Sequence, residues 1–456
     1  MSKVLWIGDA GCHTGFGRVT HAIGDRLVEQ YGHDISVLAI NHQGDHWPTA
    51  MKLYRPDLRK AGDIYGYSRI LEMLVKVQPD VVVMLNDPAV LLQYLFRNQY
   101  DPDQALARGL SDRGAYVPVL TYIPVDGTNQ PHAWHGLLSQ FTNVVTMSEY
   151  GQAVFPGSKL VYHGVDTELF WPVKERPITT SDGRVLKTKK DCKRAFGFDP
   201  DGFLVLRIDK NSGRKDFAAT WKALVPVMKR HKDIQVHFHC VQSDAGSGVS
   251  LNSLYSREPE IDRRRFYGPD FHSSFQGWPQ QDLNALINAA DVTVSTSRGE
   301  GFGLTLAESL ACAVPVIAQN VSAIPEVVGP GGILLEPQRL ITVPSGQDLW
   351  LADIDAFTDA IEQLYGSRGA RRDLGEAGVR HVRESFSWDF AAARFHEFIT
   401  GLHEGALEKG ATHGPDRGGD PDGRGEQVQD VLRPAEGDGA AGRAEDPARG
   451  GLVDDD

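Results

Sequence analysis

Cysteine is scarce in this chain of 456 residues. The four cysteines lie far apart, and no two of them form a Cys-x-x-Cys pair. A disulfide framework and a zinc site built from cysteines are therefore not indicated, because both need suitably spaced thiols. We expect all four to be reduced thiols, namely Cys12, Cys192, Cys240 and Cys312.

Long apolar runs are also missing. No segment approaches the ~20 apolar residues that a membrane-spanning helix needs. The strand-like segment after Lys3 is too short to be a secretory signal. Because the hydrophobic content of 41% is typical of a soluble globular protein, we expect a cytoplasmic location.

Basic residues are fewer than acidic residues, which gives a formal net charge of −13. Spread evenly, this charge would argue against a nucleic-acid binder. However, residues 410–456 carry twelve acidic side chains against five arginines, so more than half of the net charge lies there. This stretch has no aromatic residue and is dominated by Gly, Asp, Pro, Ala and Arg, which is the composition of a disordered tail.

The length of the chain exceeds one ordinary core and indicates two domains and a tail. Apolar runs alternate with helical patterns, which predicts α/β domains with parallel sheets. Strands are predicted at 4–8, 35–40, 81–85, 116–123, 144–147, 203–208, 234–241, 292–294 and 314–319. The predicted divisions are an N-terminal domain at 1–185, a second domain at 186–385, a C-terminal helix at 386–409 and the tail at 410–456.

The most informative stretch runs from Asp291 to Glu308. A short buried strand is followed by a glycine-rich turn and then by a helix. The glycines of this turn are Gly299, Gly301 and Gly303. They let the backbone approach a ligand, and the helix N-terminus favours an anion. Leu304 begins the apolar stripe of the helix, which leaves Glu308 on another face, free to bind a polar group.

A second turn of this kind follows the strand predicted at 203–208. It gathers Lys210, Arg214 and Lys215 just before a helix. Cations at such a place can neutralise a phosphate, together with the helix N-terminus. A solvated run of charge is the alternative that the pattern leaves open.

The first predicted strand also leads into a glycine-rich turn, in which Gly15 and Gly17 lie nearest to the following helix. The spacing is not the Gly-x-Gly-x-x-Gly of dinucleotide-binding folds, and Asn41 and His42 follow the second strand instead of an acidic residue. NAD is therefore not expected. The glycines serve either close packing of the turn or contact with a ligand.

Two aspartates, Asp87 and Asp126, follow predicted strands. Because ligands bind beyond the carboxyl ends of parallel strands, either aspartate can orient an acceptor hydroxyl. Both also stand beside Gly or Pro, where aspartate commonly forms turns. His237 and His239 share a strand face, but Cys240 points to the other face, so a metal site is not indicated there.

In this order and context, the motifs of the second half resemble those of the GT-B glycosyltransferases of group 1. This is the large retaining, family-four-like group that includes glycogen and sucrose synthases and many bacterial mannosyl- and glucosyltransferases. The similarity spans about Lys3 to Thr400 and is strongest over Leu204–Pro337. It is carried by Glu300 and Glu308 within EGFGLTLAE, PVIA at 315–318, Glu326, GGILLEP at 331–337 and HGVDTELFWP at 163–172.

This resemblance implies a fold and an activity. The fold has two Rossmann-like α/β domains that face each other across a cleft, with a C-terminal helix that crosses back to the first domain. The implied activity is metal-independent transfer of a hexose-type sugar from a UDP-, GDP- or ADP-sugar to a hydroxyl acceptor, by front-face attack and with retention of configuration. The acceptor is left open between a glycan, a lipid, a small molecule, a protein and modified DNA.

The resemblance also implies roles for individual residues. Glu300 would contact the hydroxyls of the donor sugar, and Glu308 would bind the nucleotide ribose. The family's basic pair, which holds the donor diphosphate, corresponds to Lys210 and Lys215, with Arg214 as a neighbour. Lys210 replaces the usual arginine, which keeps the charge but loses the bidentate fork.

Further contacts follow from the same resemblance. Asp126 lies near the place where many relatives have an acceptor-side histidine, and Ala313 stands where glycine is usual. The nucleobase would be read around Phe275 to Trp278. Donor contacts are expected at Gly301, Phe302, Gly303, Leu304, Gln276, Gly277, Gly15 and Gly17.

Two other functions fit the same fold. A sugar-nucleotide 2-epimerase would use the donor site without an acceptor. A non-catalytic scaffold would bind a sugar nucleotide and offer its acidic tail to partners, although the presence of both glutamates and both lysines speaks against it.

Overall fold

A first parallel sheet is built from the N-terminal part of the chain. The computed structural model describes residues 1–57, 63–96, 117–139, 141, 143–241, 248–269 and 277–412. The strands of this sheet are β1 (Lys3–Asp9), β2 (Asp34–Ile40), β3 (Lys52–Tyr54), β4 (Val81–Leu85), β5 (Val119–Ile123), β6 (Asn143–Thr146) and β7 (Lys159–Leu160). They lie in the order β3-β2-β1-β4-β5-β6-β7. β4 and β5 are buried along their whole length, as expected of central parallel strands that are covered on both faces.

Helices cover this sheet. They are α1 (Gly15–Glu29), α2 (Ile70–Val77), α3 (Pro88–Phe96), α4 (His132–Leu138) and α5 (Glu149–Val154). The hydroxyl of Thr14 caps α1 by accepting the N–H of Gly17, and Ser148 caps α5 by accepting the N–H of Gly151.

A second parallel sheet follows a short hairpin made of β8 (Ile178–Thr179) and β9 (Val185–Leu186). Its strands are β10 (Phe203–Ile208), β11 (Ile234–His239), β12 (Phe266–Tyr267), β13 (Val292–Ser295), β14 (Val316–Gln319) and β15 (Gly332–Leu335). Their order in the sheet is β12-β11-β10-β13-β14-β15. The antiparallel hairpin β16 (Pro337–Thr342) and β17 (Asp348–Ala352) comes next, and the sequence did not predict it.

The helices of the second half agree with the predicted alternation. They are α6 (Lys189–Ala195), α7 (Phe217–Arg230), α8 (Leu251–Tyr255), α9 (Gln280–Ala289), α10 (Leu304–Ala311), α11 (Ile324–Val328), α12 (Ile354–Gly366), α13 (Arg368–Ser385) and α14 (Trp388–Thr412). Among the helices of the described ranges, none has both the length and the apolar character needed to cross a membrane.

The last helix, α14, packs on the first sheet and not on the second. The ring of Phe395 lies 5.8 Å from that of Trp6 on β1 and 5.1 Å from that of Tyr122 on β5. Asp389 accepts a hydrogen bond of 2.7 Å from Arg26 on α1. The helix that was expected to cross back is therefore present. Residues 1–412 form one compact unit. The predicted domain boundaries within it stay predictions. Most of the predicted tail, from residue 413 onwards, lies outside the described residues.

Ala313, just after α10, has a backbone conformation that disfavours its side chain, with φ at +58°. A residue with a Cβ pays about 1–2 kcal/mol for this left-handed conformation, which explains why glycine is usual there. Glycine also increases the conformational entropy of the unfolded chain, which offsets about 0.4–1 kcal/mol of the stability gained by removing the strain. We expect Ala313→Gly to raise the free energy of unfolding by about 0.5–1 kcal/mol, measured by urea denaturation.

Ala307→Gly is the matched control, because Ala307 is buried in the middle of α10. Glycine in a helix interior lowers stability by about 1 kcal/mol, so the two substitutions should have opposite signs. Destabilisation by both would contradict the assignment of backbone strain to Ala313.

Candidate active site

The carboxyl edges of the two sheets meet at the glycine-rich turn between β13 and α10. A Cβ added to Gly301 would lie 2.3 Å from the Cβ of Pro124, which follows β5. A Cβ added to Gly299 would likewise overlap the backbone carbonyl oxygen of Asp126. The glycines of this turn therefore admit the backbone of the first half of the protein, whereas the sequence suggested that they admit a ligand.

Side chains of alternating charge connect the two halves at this place. Lys215 lies 2.8 Å from the carboxylate of Asp209 and 2.5 Å from that of Glu300. Arg214 lies 3.2 Å from Glu300 and 3.2 Å from Asp126. We call these five residues the charge chain. It brings together four of the predicted catalytic and donor-binding side chains, Glu300, Lys215, Arg214 and Asp126.

The charge chain sets the protonation of its carboxylates. Burial acts to raise the pKa of Glu300, but Lys215 and Arg214 outweigh it and lower this pKa to about 2. Glu300 is thus ionised at neutral pH and can accept hydrogen bonds from hydroxyl groups. Burial raises the pKa of Asp126, while Arg214 opposes the increase. Desolvation by the surrounding protein, together with the charge of Asp126, raises the pKa of Asp87 to about 6.

Arg207, which the sequence analysis missed, supports the basic turn from beneath. Its side chain is only 1% exposed on β10. It donates to the hydroxyl of Thr296 at 2.8 Å and to the backbone carbonyl of Lys215, and it lies 3.3 Å from Asp209. An arginine inside an apolar strand was the available signal, because a buried cation needs several acceptors.

Asp216 and Arg298 form a second support that the sequence analysis missed. Asp216 has φ at +47° and caps α7 by accepting the N–H of Ala219 at 3.2 Å. Its other carboxylate oxygen lies 2.9 Å from Arg298 in the glycine-rich turn. The N–H of Arg298 in turn donates to the carbonyl of Arg214 at 2.9 Å. An aspartate just before a helix is a recognisable capping signal.

Glu308 on α10 is not on an open face, so that part of the prediction is wrong. Its side chain is 3% exposed, and its Oε1 forms an ion pair with Arg18 on α1. Its Oε2 is buried and has no hydrogen-bond partner among the described residues. Helical periodicity separates the faces of one helix, but it does not reveal that α1 covers this face.

Phe302 is a packing residue, and its predicted donor contact stays a prediction. Its ring lies 4.9 Å from that of His163 and 5.1 Å from that of Phe386. Burial lowers the pKa of His163 to about 3, so this cluster is uncharged. Only the backbone of Phe302 remains available to a donor. Gly303, with φ at +106°, and Leu304 then begin α10.

The remaining predicted residues lie around the same edges. Lys210 is exposed, and its charge acts on Asp9 at the end of β1, opposing the rise in the pKa of Asp9 that burial causes. A Cβ added to Gly277 would meet the ring of His13 at 2.2 Å, so this glycine permits close approach of the two halves. Gln276 lies outside the described residues.

The predicted glycines of the first turn have different surroundings. A Cβ added to Gly17 would lie 2.5 Å from the carbonyl oxygen of Cys12, whereas a Cβ on Gly15 would meet no atom within 4 Å. Close packing therefore accounts for Gly17. Gly15 lies exposed at the first position of α1, where the N-terminal N–H groups can meet an anion.

Two further contacts hold the halves together. The carboxylate of Glu326 on α11 accepts the N–H groups of Glu149 and Tyr150, each at 2.7 Å, and the hydroxyl of Tyr162 at 2.8 Å. The β16–β17 hairpin adds a backbone ladder between Asp348 and Thr128, with both bonds at 2.9 Å. Within the described residues, no group of three or more His, Cys, Asp or Glu side chains could hold a metal ion.

Comparison with solved structures defines the class of fold. The sucrose-phosphate synthase of Thermosynechococcus elongatus matches with a TM-score of 0.63 and 17% identity, over 88% of this chain and 99% of that one. HepE of Anabaena, solved in complex with UDP-glucose, matches with a TM-score of 0.59 and 14% identity, over 91% of this chain and 100% of that one. The protein has the GT-B fold, as predicted.

The family follows from the sequence of the second half. Residues 205–367 match the family model of the glycosyl transferases group 1, which confirms the predicted resemblance. The MMP α-(1→4)-mannosyltransferase of Mycolicibacterium hassiacum is 37% identical over 123 residues, which are 27% of this chain and 27% of that protein. The chain spans about half the length of other curated relatives that it matches.

Proposed function

We propose that the protein is a retaining glycosyltransferase that moves a hexose-type sugar from a nucleoside diphosphate sugar to a hydroxyl acceptor. The observation that carries the proposal is the charge chain, which places the ionised Glu300 between Lys215 and Arg214 where the two sheets meet. Ligands of parallel α/β sheets bind at this edge. The fold shared with HepE, which was solved with UDP-glucose, makes a uridine donor the first to test, ahead of guanosine and adenosine donors.

In the proposed donor complex, Glu308 receives the ribose hydroxyls and Glu300 receives hydroxyls of the sugar. Lys210, Lys215 and the N-terminal N–H groups of α10 face the diphosphate. Cations and helix N-termini are the groups that proteins use to stabilise phosphate charge, so the proposal includes no metal ion.

The proposed transfer is a front-face substitution. The acceptor oxygen attacks the anomeric carbon from the side on which the diphosphate leaves. The bond between this carbon and the phosphate oxygen breaks, its electron pair stays on the phosphate, and the acceptor proton passes to that oxygen. The products are a glycoside of retained configuration and a nucleoside diphosphate. Asp126, at the carboxyl end of β5, orients the acceptor hydroxyl.

A thermal-shift panel of UDP-, GDP- and ADP-sugars tests the donor. A ligand at 100 times its Kd stabilises the folded state by roughly 2.7 kcal/mol. The stabilising donor is then incubated with glycan, lipid, small-molecule, protein and modified-DNA acceptors, and the products are identified by mass spectrometry. Release of nucleoside diphosphate together with a glycoside supports the proposal. An epimerised donor without acceptor favours the 2-epimerase, and binding without any turnover favours the scaffold.

Gly15 gives a separate test of the first half of the site. A Cβ at Gly15 meets no protein atom, so Gly15→Ala should leave stability unchanged or raise it by up to about 1 kcal/mol. The methyl group would stand in the path of a donor phosphate, and we expect donor affinity to fall about tenfold, measured by isothermal titration.

Gly17→Ala is the matched comparison, because its Cβ would overlap the carbonyl of Cys12. Overpacking of this kind costs about 1–3 kcal/mol of folding free energy. Unchanged donor affinity in Gly15→Ala would mean that no donor phosphate approaches this turn.

A further inference from the structure

Arg18 and Glu308 form an ion pair between the two halves of the protein. Arg18 lies in the first turn of α1, and its side chain is 24% exposed. Burial lowers its pKa to about 10, so it remains charged at neutral pH. Its guanidinium contacts Oε1 of Glu308, while the buried Oε2 has no hydrogen-bond partner among the described residues. A buried carboxylate oxygen without a donor is unfavourable and indicates a place for a ligand donor.

A ribose fits this carboxylate only if Arg18 gives way. The two neighbouring hydroxyls of a ribose match the two oxygens of one carboxylate. In the structure, one of these oxygens is taken by Arg18. Because the Glu308 side chain is only 3% exposed and Arg18 lies against Oε1, a ribose can reach both oxygens only when the guanidinium moves aside.

The cations of the charge chain are already paired, so a donor diphosphate needs an additional cation. Lys215 and Arg214 already have carboxylate partners, namely Asp209, Glu300 and Asp126. A donor diphosphate adds negative charge at the same edge of the sheets. An arginine released from Glu308 can meet this charge with a bidentate hydrogen bond. The exposed N-terminus of α1 at Gly15 lies one turn away and favours an anion in the same place.

We propose that Arg18 is a donor-binding residue that exchanges partners. In the nucleotide-free protein it pairs with Glu308. When the donor binds, the ribose takes Glu308 and Arg18 contacts the diphosphate. This inference rests on the proposed function, and it adds a preference: a nucleoside breaks the Arg18–Glu308 pair without replacing it, whereas a nucleoside diphosphate replaces it.

The exchange predicts changes of opposite sign in one variant. Arg18→Ala removes the competitor for Glu308, so a nucleoside should bind about tenfold more tightly than it binds to the wild type. The same variant loses a charge-assisted contact with the diphosphate, so the nucleoside diphosphate should bind about tenfold more weakly. Uridine, guanosine, adenosine and their diphosphates are titrated by calorimetry, with ligand-observed NMR for the weak nucleosides.

Arg26→Ala is the matched control, because Arg26 lies on the same helix and pairs with Asp389 on α14. It should leave both affinities unchanged. Arg18→Lys keeps the charge and the aliphatic stem, and it replaces Arg18→Ala in the test if the alanine variant does not fold. It should show the same opposed changes in affinity, but smaller ones.

Each outcome separates the inference from the proposed function. Opposed changes in Arg18→Ala support the exchange. Equal losses for both ligands mean that Arg18 is only a tether between the halves, and two unchanged affinities mean that it does not meet the donor; either result overturns the inference and leaves the proposed function standing. A wild type that binds none of the diphosphates overturns both.

Discussion

Replacement of Lys215 by alanine lowers kcat for sugar transfer by about 10²- to 10³-fold, the range observed when one preorganised electrostatic group is removed from an active site. Lys215 is held by Asp209 at 2.8 Å and by Glu300 at 2.5 Å, and its side chain is 13% exposed. This position is fixed before the donor arrives, so no reorganisation is needed when charge develops on the leaving phosphate. The loss should appear in kcat, measured by release of nucleoside diphosphate.

Lys190→Ala is the control for this substitution, because Lys190 also lies in the second half and, in the described part of the chain, pairs with the exposed Asp201. It should leave kcat unchanged. Lys215→Arg keeps the charge and should retain part of the activity. Thermal unfolding of each variant shows whether the fold is intact. A folded Lys215→Ala protein with kcat within about twofold of the wild type would contradict the role of the charge chain in transfer.

The second large effect is expected at Glu308. Glu308→Ala or Glu308→Gln removes the charged acceptor of the ribose hydroxyls, and we expect a net loss equal to that of one charge-assisted hydrogen bond, about 1.5–3 kcal/mol. Donor affinity should therefore fall about 10- to 100-fold, measured by isothermal titration. Glu308 does not contact the reacting carbon in the proposed complex, so KM should change more than kcat.

Two features make this test interpretable. Glu336→Ala is a matched control, because Glu336 is exposed in the second half and bonds only to the side chain of Asn320, at 2.6 Å. Loss of the Glu308 carboxylate also leaves Arg18 without its partner, so thermal unfolding has to be recorded for both variants. Unchanged donor affinity in a folded Glu308 variant would remove the ribose assignment.

The sequence predicts the two sheets well because their strands are apolar and uninterrupted. β4 and β10 are buried on both faces, which a run of β-branched and aliphatic residues indicates directly. It also predicts the start of α10 and the cations of the basic turn, because the glycines that mark a turn and the charged residues can both be recognised locally in the sequence. The hairpin β16–β17 was missed because β16 is largely exposed and forms no buried apolar run.

The partners within the site could not be predicted from local patterns. Arg18 and Glu308 are brought together only by the approach of α1 to α10. Asp126 of the first half likewise meets Arg214 of the second half. Periodicity places a side chain on a face of its own element, but it does not say which other element covers that face.

Phe302 shows the same limit in a turn. The family resemblance placed Phe302 among the donor contacts, but it did not reveal that the ring is 3% exposed and packs against His163 and Phe386. The aromatic ring contributes apolar area that a loop near solvent would leave exposed, and burial of that area anchors the turn. The signal in the sequence for this burial was the large aromatic side chain of Phe302 itself.

The most direct test of the donor site is a crystal structure with the nucleoside diphosphate that stabilises the protein most. The ribose hydroxyls should lie about 2.6–3.2 Å from the carboxylate of Glu308. The diphosphate should lie against Lys210, Arg18 and the N-terminus of α10, with Glu300 facing the position of the sugar. A nucleotide bound elsewhere, or one whose ribose points away from Glu308, would contradict the proposed function of this site.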